Sequence, residues 1–155
     1  MIFEYENHKL EIKQNVLDVF NRFRQTEPVS NESGGILIGR YIESSFHVVI
    51  DMCTTPQLGD KQSRFFFSRS KKYHQEILNE IWGYTNATKN YLGEWHTHPE
   101  KTPLPSEHDL NQWVKLLKNQ NNDIENIFFV IVGIENIRVW KGNLIERNIV
   151  EMKGL

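Results

Sequence analysis

The chain has 155 residues, a formal net charge of −2, 39% hydrophobic and 25% charged residues, which suits one folded core and leaves no room for a second full domain. That near-neutral balance gives no electrostatic pull toward phosphate backbones or anionic lipid, so neither nucleic acid nor membrane is an expected partner. No stretch approaches the roughly 18 apolar residues of a membrane span, the opening Met1–Lys13 runs into charges too early for a signal peptide, and the lone Cys53 can form no internal disulfide, which together suit the cytoplasm.

In chain order, Ile2–Ile12 alternates loosely between apolar and polar residues, which predicts one half-buried strand. Val16, Leu17, Phe20 and Phe23 recur at helical spacing and predict an amphipathic helix over Lys13–Arg24, closed by the loop at Pro28. Gly34–Tyr41 and Phe46–Ile50 are short apolar runs bounded by turn formers, as expected of an antiparallel hairpin. A polar stretch with Pro56 and Gly59 leads to a predicted strand at Arg64–Ser68. A second helix is predicted over Lys71–Trp82, ending before Gly83.

Tyr91–His96 reads as a strand, and a loop with Pro99, Pro103 and Pro105 leads to a third helix that opens at Ser106 and closes in the polar run Asn119–Asn122. Ile127–Val132 is a continuous apolar strand. Arg138–Trp140 and Leu144–Ile145 then flank Lys141-Gly142-Asn143, a predicted hairpin turn. This order implies an α/β fold in which a mixed β-sheet is flanked by helices.

The chemistry concentrates in Gly93-Glu94-Trp95-His96-Thr97-His98-Pro99, followed by Pro105-Ser106-Glu107-His108-Asp109. Alternate residues of an extended strand share a face, so His96 and His98 can converge on one ion. Ser106 suits an N-cap, which puts Asp109 in the first helical turn, where its carboxylate can supply a third ligand. Three protein ligands leave a coordination position open, the arrangement of a catalytic zinc; a structural site fills all four, usually with cysteines this chain lacks. Zinc held this way acidifies water and polarises a carbonyl, which points to peptide or isopeptide hydrolysis. Such a reaction needs a carboxylate to carry a proton from water to the leaving amine, and Glu32 and Glu94 are the candidates.

Glu32, His96-Thr97-His98-Pro99, the six residues Glu100–Pro105 and Ser106-Glu107-His108-Asp109 resemble the complete JAMM signature of the JAB/MPN superfamily. The resemblance implies a cytidine deaminase-like single domain over residues 1–155. It further implies Glu32 as general base, zinc held by His96, His98 and Asp109, and Ser106 stabilising the oxyanion of the tetrahedral intermediate. In its short single-domain form the chain is similar to the deconjugating peptidases of antiphage CBASS operons. The family then implies cleavage between the C-terminus of a cyclic-oligonucleotide synthase (CD-NTase), or of a ubiquitin-like protein, and a target amine. Eukaryotic relatives cut ubiquitin chains with added insertions; no long insertion stands in this chain, which counts against ubiquitin itself. A substrate tail is expected to lie extended in the cleft, as a strand added beside Arg64–Ser68.

Other readings compete. Ser106-x-x-Asp109 alone is also a helix capping box. A non-catalytic MPN scaffold that binds partner proteins would normally have lost metal ligands, and none is lost. A peptidase maturing a sulfur-carrier or ubiquitin-like tag would use the same residues. A zinc deaminase would need a Pro-Cys-x-x-Cys box, which is absent. His8, His47 and His74 read as structural or superficial, His108 as exposed, Trp95 and Trp113 as core, and Cys53 as a small buried hydrophobe.

Overall fold

The structure, a computed structural model, describes residues 1–43, 45–119 and 125–155. Its N-terminal stretch folds as two strands where the sequence pattern suggests one. β1 (Ile2–Tyr5) and β2 (His8–Ile12) form an antiparallel hairpin in which Tyr5 faces His8. Glu6 takes a left-handed φ of 54° at the turn, a geometry usually announced by Asn-Gly and here hidden in Glu-Asn.

α1 (Gln14–Phe23) follows, burying Val16, Leu17 and Phe20 as its periodicity predicts. β3 (Gly34–Tyr41) and β4 (His47–Cys53) form the expected antiparallel hairpin. The predicted strand at Arg64–Ser68 is the second half of a small hairpin, β5 (Lys61–Ser63) and β6 (Phe66–Ser68), with Arg64 and Phe65 in the bend. β5 carries Lys, Gln and Ser and is exposed throughout, so no apolar alternation marks it.

α2 (Lys71–Tyr84) runs through Gly83. A Cβ added there would meet nothing within 4 Å, so this glycine marks an open helix face and no stop. Termination falls to Asn86 and Ala87, both left-handed at φ 51° and 60°.

β7 (Asn90–Thr97), α3 (Glu107–Asn119) and β8 (Asn126–Val132) form a parallel crossover. The polar run expected to close α3 lies, beyond Asn119, outside the described residues. β9 (Ile137–Asn143) continues straight through the predicted Lys141-Gly142-Asn143 turn, and β10 (Ile149–Gly154) returns beside it. Gly142 is small because a Cβ would lie 2.9 Å from Leu117 of α3 and 3.0 Å from Phe129. The reversal begins at Asn143, whose side-chain oxygen accepts from the Ile145 and Glu146 amides at 2.9 and 2.7 Å, a side-chain-built turn.

Eight strands close into a mixed barrel in the order β1-β10-β9-β8-β7-β3-β4-β2, with β2·β4 and β7·β8 parallel. The main core gathers α1 with Leu10, Leu37, Ile50, Trp95 and Phe128. Residues of opposite parity face the other way: Ile36 and Ile38 pack with Ile81 of α2, and Phe129 and Ile131 with Trp113 and Leu117 of α3. Each such large side chain removed from water is worth about 1.5–3 kcal/mol before entropy is charged against it. The result is an α/β fold with a mixed sheet and three helices, and no helix among the described residues is long and apolar enough to cross a membrane.

Candidate metal centre

The C-terminal end of β7 delivers both histidines. His96 and His98 turn to one side of the strand, while Thr97 between them turns inward and is fully buried. Their Nε2 atoms lie 3.0 Å apart. Asp109, in the first turn of α3, brings Oδ1 within 3.3 Å of His96 Nε2 and Oδ2 within 3.4 Å of His98 Nε2. Zinc–ligand bonds of about 2.0–2.2 Å in a tetrahedron set neighbouring donors roughly 3.3 Å apart. The separations, two of them to different oxygens of the one carboxylate, are of that order, and the three side chains could hold a metal ion.

Ser106 caps α3 and braces the carboxylate. Its amide and hydroxyl both donate to Asp109 Oδ2, at 2.7 and 2.6 Å, while the Asp109 amide donates back to Ser106 Oγ at 3.2 Å. The capping box and the ligand cluster are thus one piece of structure. Burial alone would push the Asp109 carboxyl up, but hydrogen bonds from His96, His98 and Ser106 and the charge of His96 hold it well below the ordinary carboxylate range. Burial would likewise depress His98; its hydrogen bond to Asp109 and the negative charges of Glu32 and Asp109 outweigh this and raise it.

Glu32 reaches the cluster from the other side, Oε1 lying 3.9 Å from His98 Nε2. Reciprocal bonds fix its place: the Thr97 amide donates to Ser33 O at 2.8 Å, and the Ser33 amide donates to Thr97 Oγ1 at 2.9 Å. The Glu32 amide donates to Ser63 O at 2.7 Å, and Gln62 donates to Glu32 O at 2.8 Å, tying the segment to the β5–β6 hairpin. Buried Gln25 completes the brace, accepting from Thr97 Oγ1 and donating to the backbone oxygens of Ser30 and Arg64. Burial, opposed in part by His98, raises the Glu32 carboxyl to about 7.

Glu94, the rival proton carrier, is engaged elsewhere: Arg69 donates to its Oε1 from Nε and Nη2 at 3.1 and 2.5 Å. Two cavities flank the cluster and share Phe67, His108 and Asp109. One, of about 260 Å³, holds Glu32, His98 and Ser106 beneath Phe65 and Phe66. The other, of about 220 Å³, lies past His96 between β6 and α3. His108 is exposed, its ring 5.2 Å from that of Phe66. Trp95 and Trp113 are core residues, and burial drives the half-buried Cys53 thiol up to about 12, far from nucleophilic use. His74 is fully buried, held between Thr54 and Asp60.

The family described as prokaryotic homologs of the JAB domain matches residues 13–142. This chain is a prokaryotic JAB-domain homologue. Among JAB-type relatives it is 36% identical over 152 residues to a CD-NTase/cGAS isopeptidase of Escherichia coli strain TW11681, covering 98% of this chain and 92% of that one. A protein of the same name from Pseudomonas aeruginosa strain BWHPSA011 / Pa011 is 34% identical, with 80% of this chain and 77% of the relative covered. A solution structure of a Desulfitobacterium hafniense protein shares the fold at 18% identity and a TM-score of 0.57, over 92% of this chain and 88% of that one.

The resemblance read from the sequence points to Glu32, His96, His98, Ser106 and Asp109, which the structure brings together. It carries no sign of Gln25 or Gln62, which together with Thr97, the residue between the two histidines, hold Glu32 in place. Their types are ordinary for loops and strands, and only the fold brings them together.

Proposed function

We propose that this chain is a zinc-dependent isopeptidase that releases a conjugated protein, a CD-NTase in the first instance, by hydrolysing the bond between its C-terminus and a target amine. The observation that carries the reading is the convergence of His96, His98 and Asp109, whose ring nitrogens and carboxylate oxygens approach to 3.0–3.4 Å, with Glu32 beside them. The relatives named CD-NTase/cGAS isopeptidase support the substrate class.

His96, His98 and Asp109 would hold zinc, which supplies Lewis acidity toward water and a substrate carbonyl. Glu32 takes a proton from the attacking water and returns it to the leaving nitrogen as the C–N bond breaks, giving a free carboxyl terminus and a free amine. The Ser106 hydroxyl, released from Asp109, turns to the carbonyl oxygen as charge builds on it. The substrate's tail lies extended along β6, which pairs on one edge only among the described residues.

The decisive experiment compares the parent with Glu32→Gln on a tail-to-lysine conjugate. The variant is expected to retain one zinc per chain by elemental analysis and to lose cleavage. A variant that cleaves at the parental rate overturns the role given to Glu32, and a parent purified at neutral pH that takes up no zinc overturns the metal centre.

A further inference from the structure

The cavity beyond His96 contains a polar pair that the hydrolysis itself does not use. Glu94 and Arg69 both line it, beside Phe67, Gln112, Trp113 and Leu116, and their side chains are only 23% and 19% exposed. Every hydrogen bond to the Glu94 carboxylate lands on Oε1: two from Arg69 and a long one of 3.4 Å from the Tyr91 hydroxyl. Among the described residues Glu94 Oε2 accepts from nothing and Arg69 Nη1 donates to nothing. The pair thus leaves one carboxylate oxygen and one guanidinium nitrogen without a protein partner, over a net charge of zero.

We infer that Glu94 and Arg69 form a subsite that reads a backbone amide of the substrate's tail, two or three residues before the scissile bond. The direction of the tail rests on the isopeptidase reading. Glu32 must reach the leaving nitrogen and lines only the cavity on the His98 side, so the amine departs there and the acyl chain lies in the cavity past His96. Glu94 precedes His96 by two positions on β7, about 7 Å along the strand, the span of two extended residues.

One N–H and one C=O complement the spare acceptor and donor, whereas a charged tail side chain meets an already neutralised pair and gains little. Phe67, Trp113 and Leu116 line the same cavity and give the apolar atoms of the tail a surface to pack on. The subsite fixes the register of the tail while accepting many side chains at that position.

The test uses a fluorescein-labelled heptapeptide with a free C-terminal carboxylate, selected on the zinc-loaded protein from a random pool, with Kd read by anisotropy. Methylating the amide nitrogen of the second or third residue from the C-terminus is expected to raise Kd about tenfold or more, as loss of a hydrogen bond to a charged group does. Exchanging the side chain of that residue for alanine should change Kd by no more than about threefold. Glu94→Gln, which keeps the shape but turns an acceptor into a donor, should weaken the unmethylated peptide. In the double variant Glu94→Leu with Arg69→Met, which removes both charges together, the methylation penalty should vanish at unchanged zinc content and melting temperature.

An equal methylation penalty in parent and double variant overturns the subsite, as does a Kd governed by the side chain. Cleavage of the same heptapeptide joined to lysine Nε is read separately. Cleavage indifferent to the pair removes the subsite and leaves the isopeptidase standing; amide-sensitive binding with no cleavage does the reverse.

Discussion

Glu32 is buried beside two histidines and an aspartate, and the consequences of that address can be measured. As the proton carrier it should be worth about 10²–10⁴ in kcat/KM, the usual span of general acid–base catalysis, so Glu32→Gln is expected to fall at least that far with its zinc retained. Because the working form is the carboxylate, kcat/KM should rise with pH; bound zinc draws the midpoint down from about 7, so the acidic limb lies at or below it. Stability of the zinc-free protein runs the opposite way. Folding raises this carboxyl from 4.5 to about 7, so the folded state binds its proton more tightly, and the contribution of Glu32 to stability is full below about pH 4.5 and lost as pH climbs through 7. With the metal chelated, Glu32→Gln should therefore be more stable than the parent at pH 8, by up to about 3 kcal/mol, and level with it near pH 4.5; denaturant melts at the two pH values decide. The cluster of His96, His98 and Asp109 was legible because its spacing is local: i and i+2 on a strand, a cap and its third residue on a helix. Glu32 is 64 residues from His96, and the residues alone left it level with Glu94. Only the family signature separated the two, and the structure supplies the physical reason, Arg69 occupying Glu94.

At the scale of elements, the β5–β6 hairpin is held onto the sheet from two directions. Phe67 sits against Gly34, where a Cβ would lie 2.6 Å from its ring and 2.5 Å from the Trp95 carbonyl oxygen. Gly34 also faces His96 across the β3·β7 ladder. Gly34→Ala must therefore move either the hairpin or the strand carrying the ligands. The expected outcome is a loss of about 1–3 kcal/mol in a urea melt with a fall in kcat/KM of at least about tenfold, since small misplacements of reacting groups are costly. From the other direction, Thr54 Oγ1 accepts from the Ile36 amide at 2.9 Å and bonds His74 Nδ1 at 2.6 Å, and His74 Nε2 reaches Asp60 at 3.0 Å. All three are satisfied when His74 is neutral with its proton on Nε2, and burial lowers its pKa in that direction. Thr54→Val strips a partner from two buried groups and should cost about 2–4 kcal/mol by the same melt. The helices α1 and α3 were legible because one-sided burial wrote a period into them, and β8 because burial on both faces left a continuous apolar run. Residue type alone misleads at three places: Gly83 sits on an open helix face and stops nothing, Gly142 answers to Leu117 and Phe129 packed against it, and the Glu6-Asn7 turn lacks the usual turn residues.

Across the whole molecule, closure of the barrel depends on the element that was hardest to foresee. β10 has a single buried residue, Met152, and a pattern otherwise exposed or half-exposed, so no alternation announced it. Yet it is the strand that joins the two ends of the sheet, pairing Phe3 with Gly154 on one side and Met152 with Val139 on the other. Ending the chain after Asn148 would free the edges of β1 and β9 and uncover Phe3 and Val139 of the main core. A loss of about 3–5 kcal/mol is expected from the buried side chain and the two ladders together, which for a domain of this size lowers the melting temperature by about 10 °C. Exposed edges should also make the shortened chain aggregate on warming. The histidines of the candidate metal centre lie at the end of β7, separated from β10 by β8 and β9 in the strand order, and Asp109 lies on α3. Assayed at 10 °C, the shortened protein should therefore keep its zinc stoichiometry and a kcat/KM within about threefold of the parent, the damage confined to melting temperature and solubility. Loss of zinc at 10 °C by a chain that still shows a cooperative melt would instead mean that barrel closure shapes the site itself.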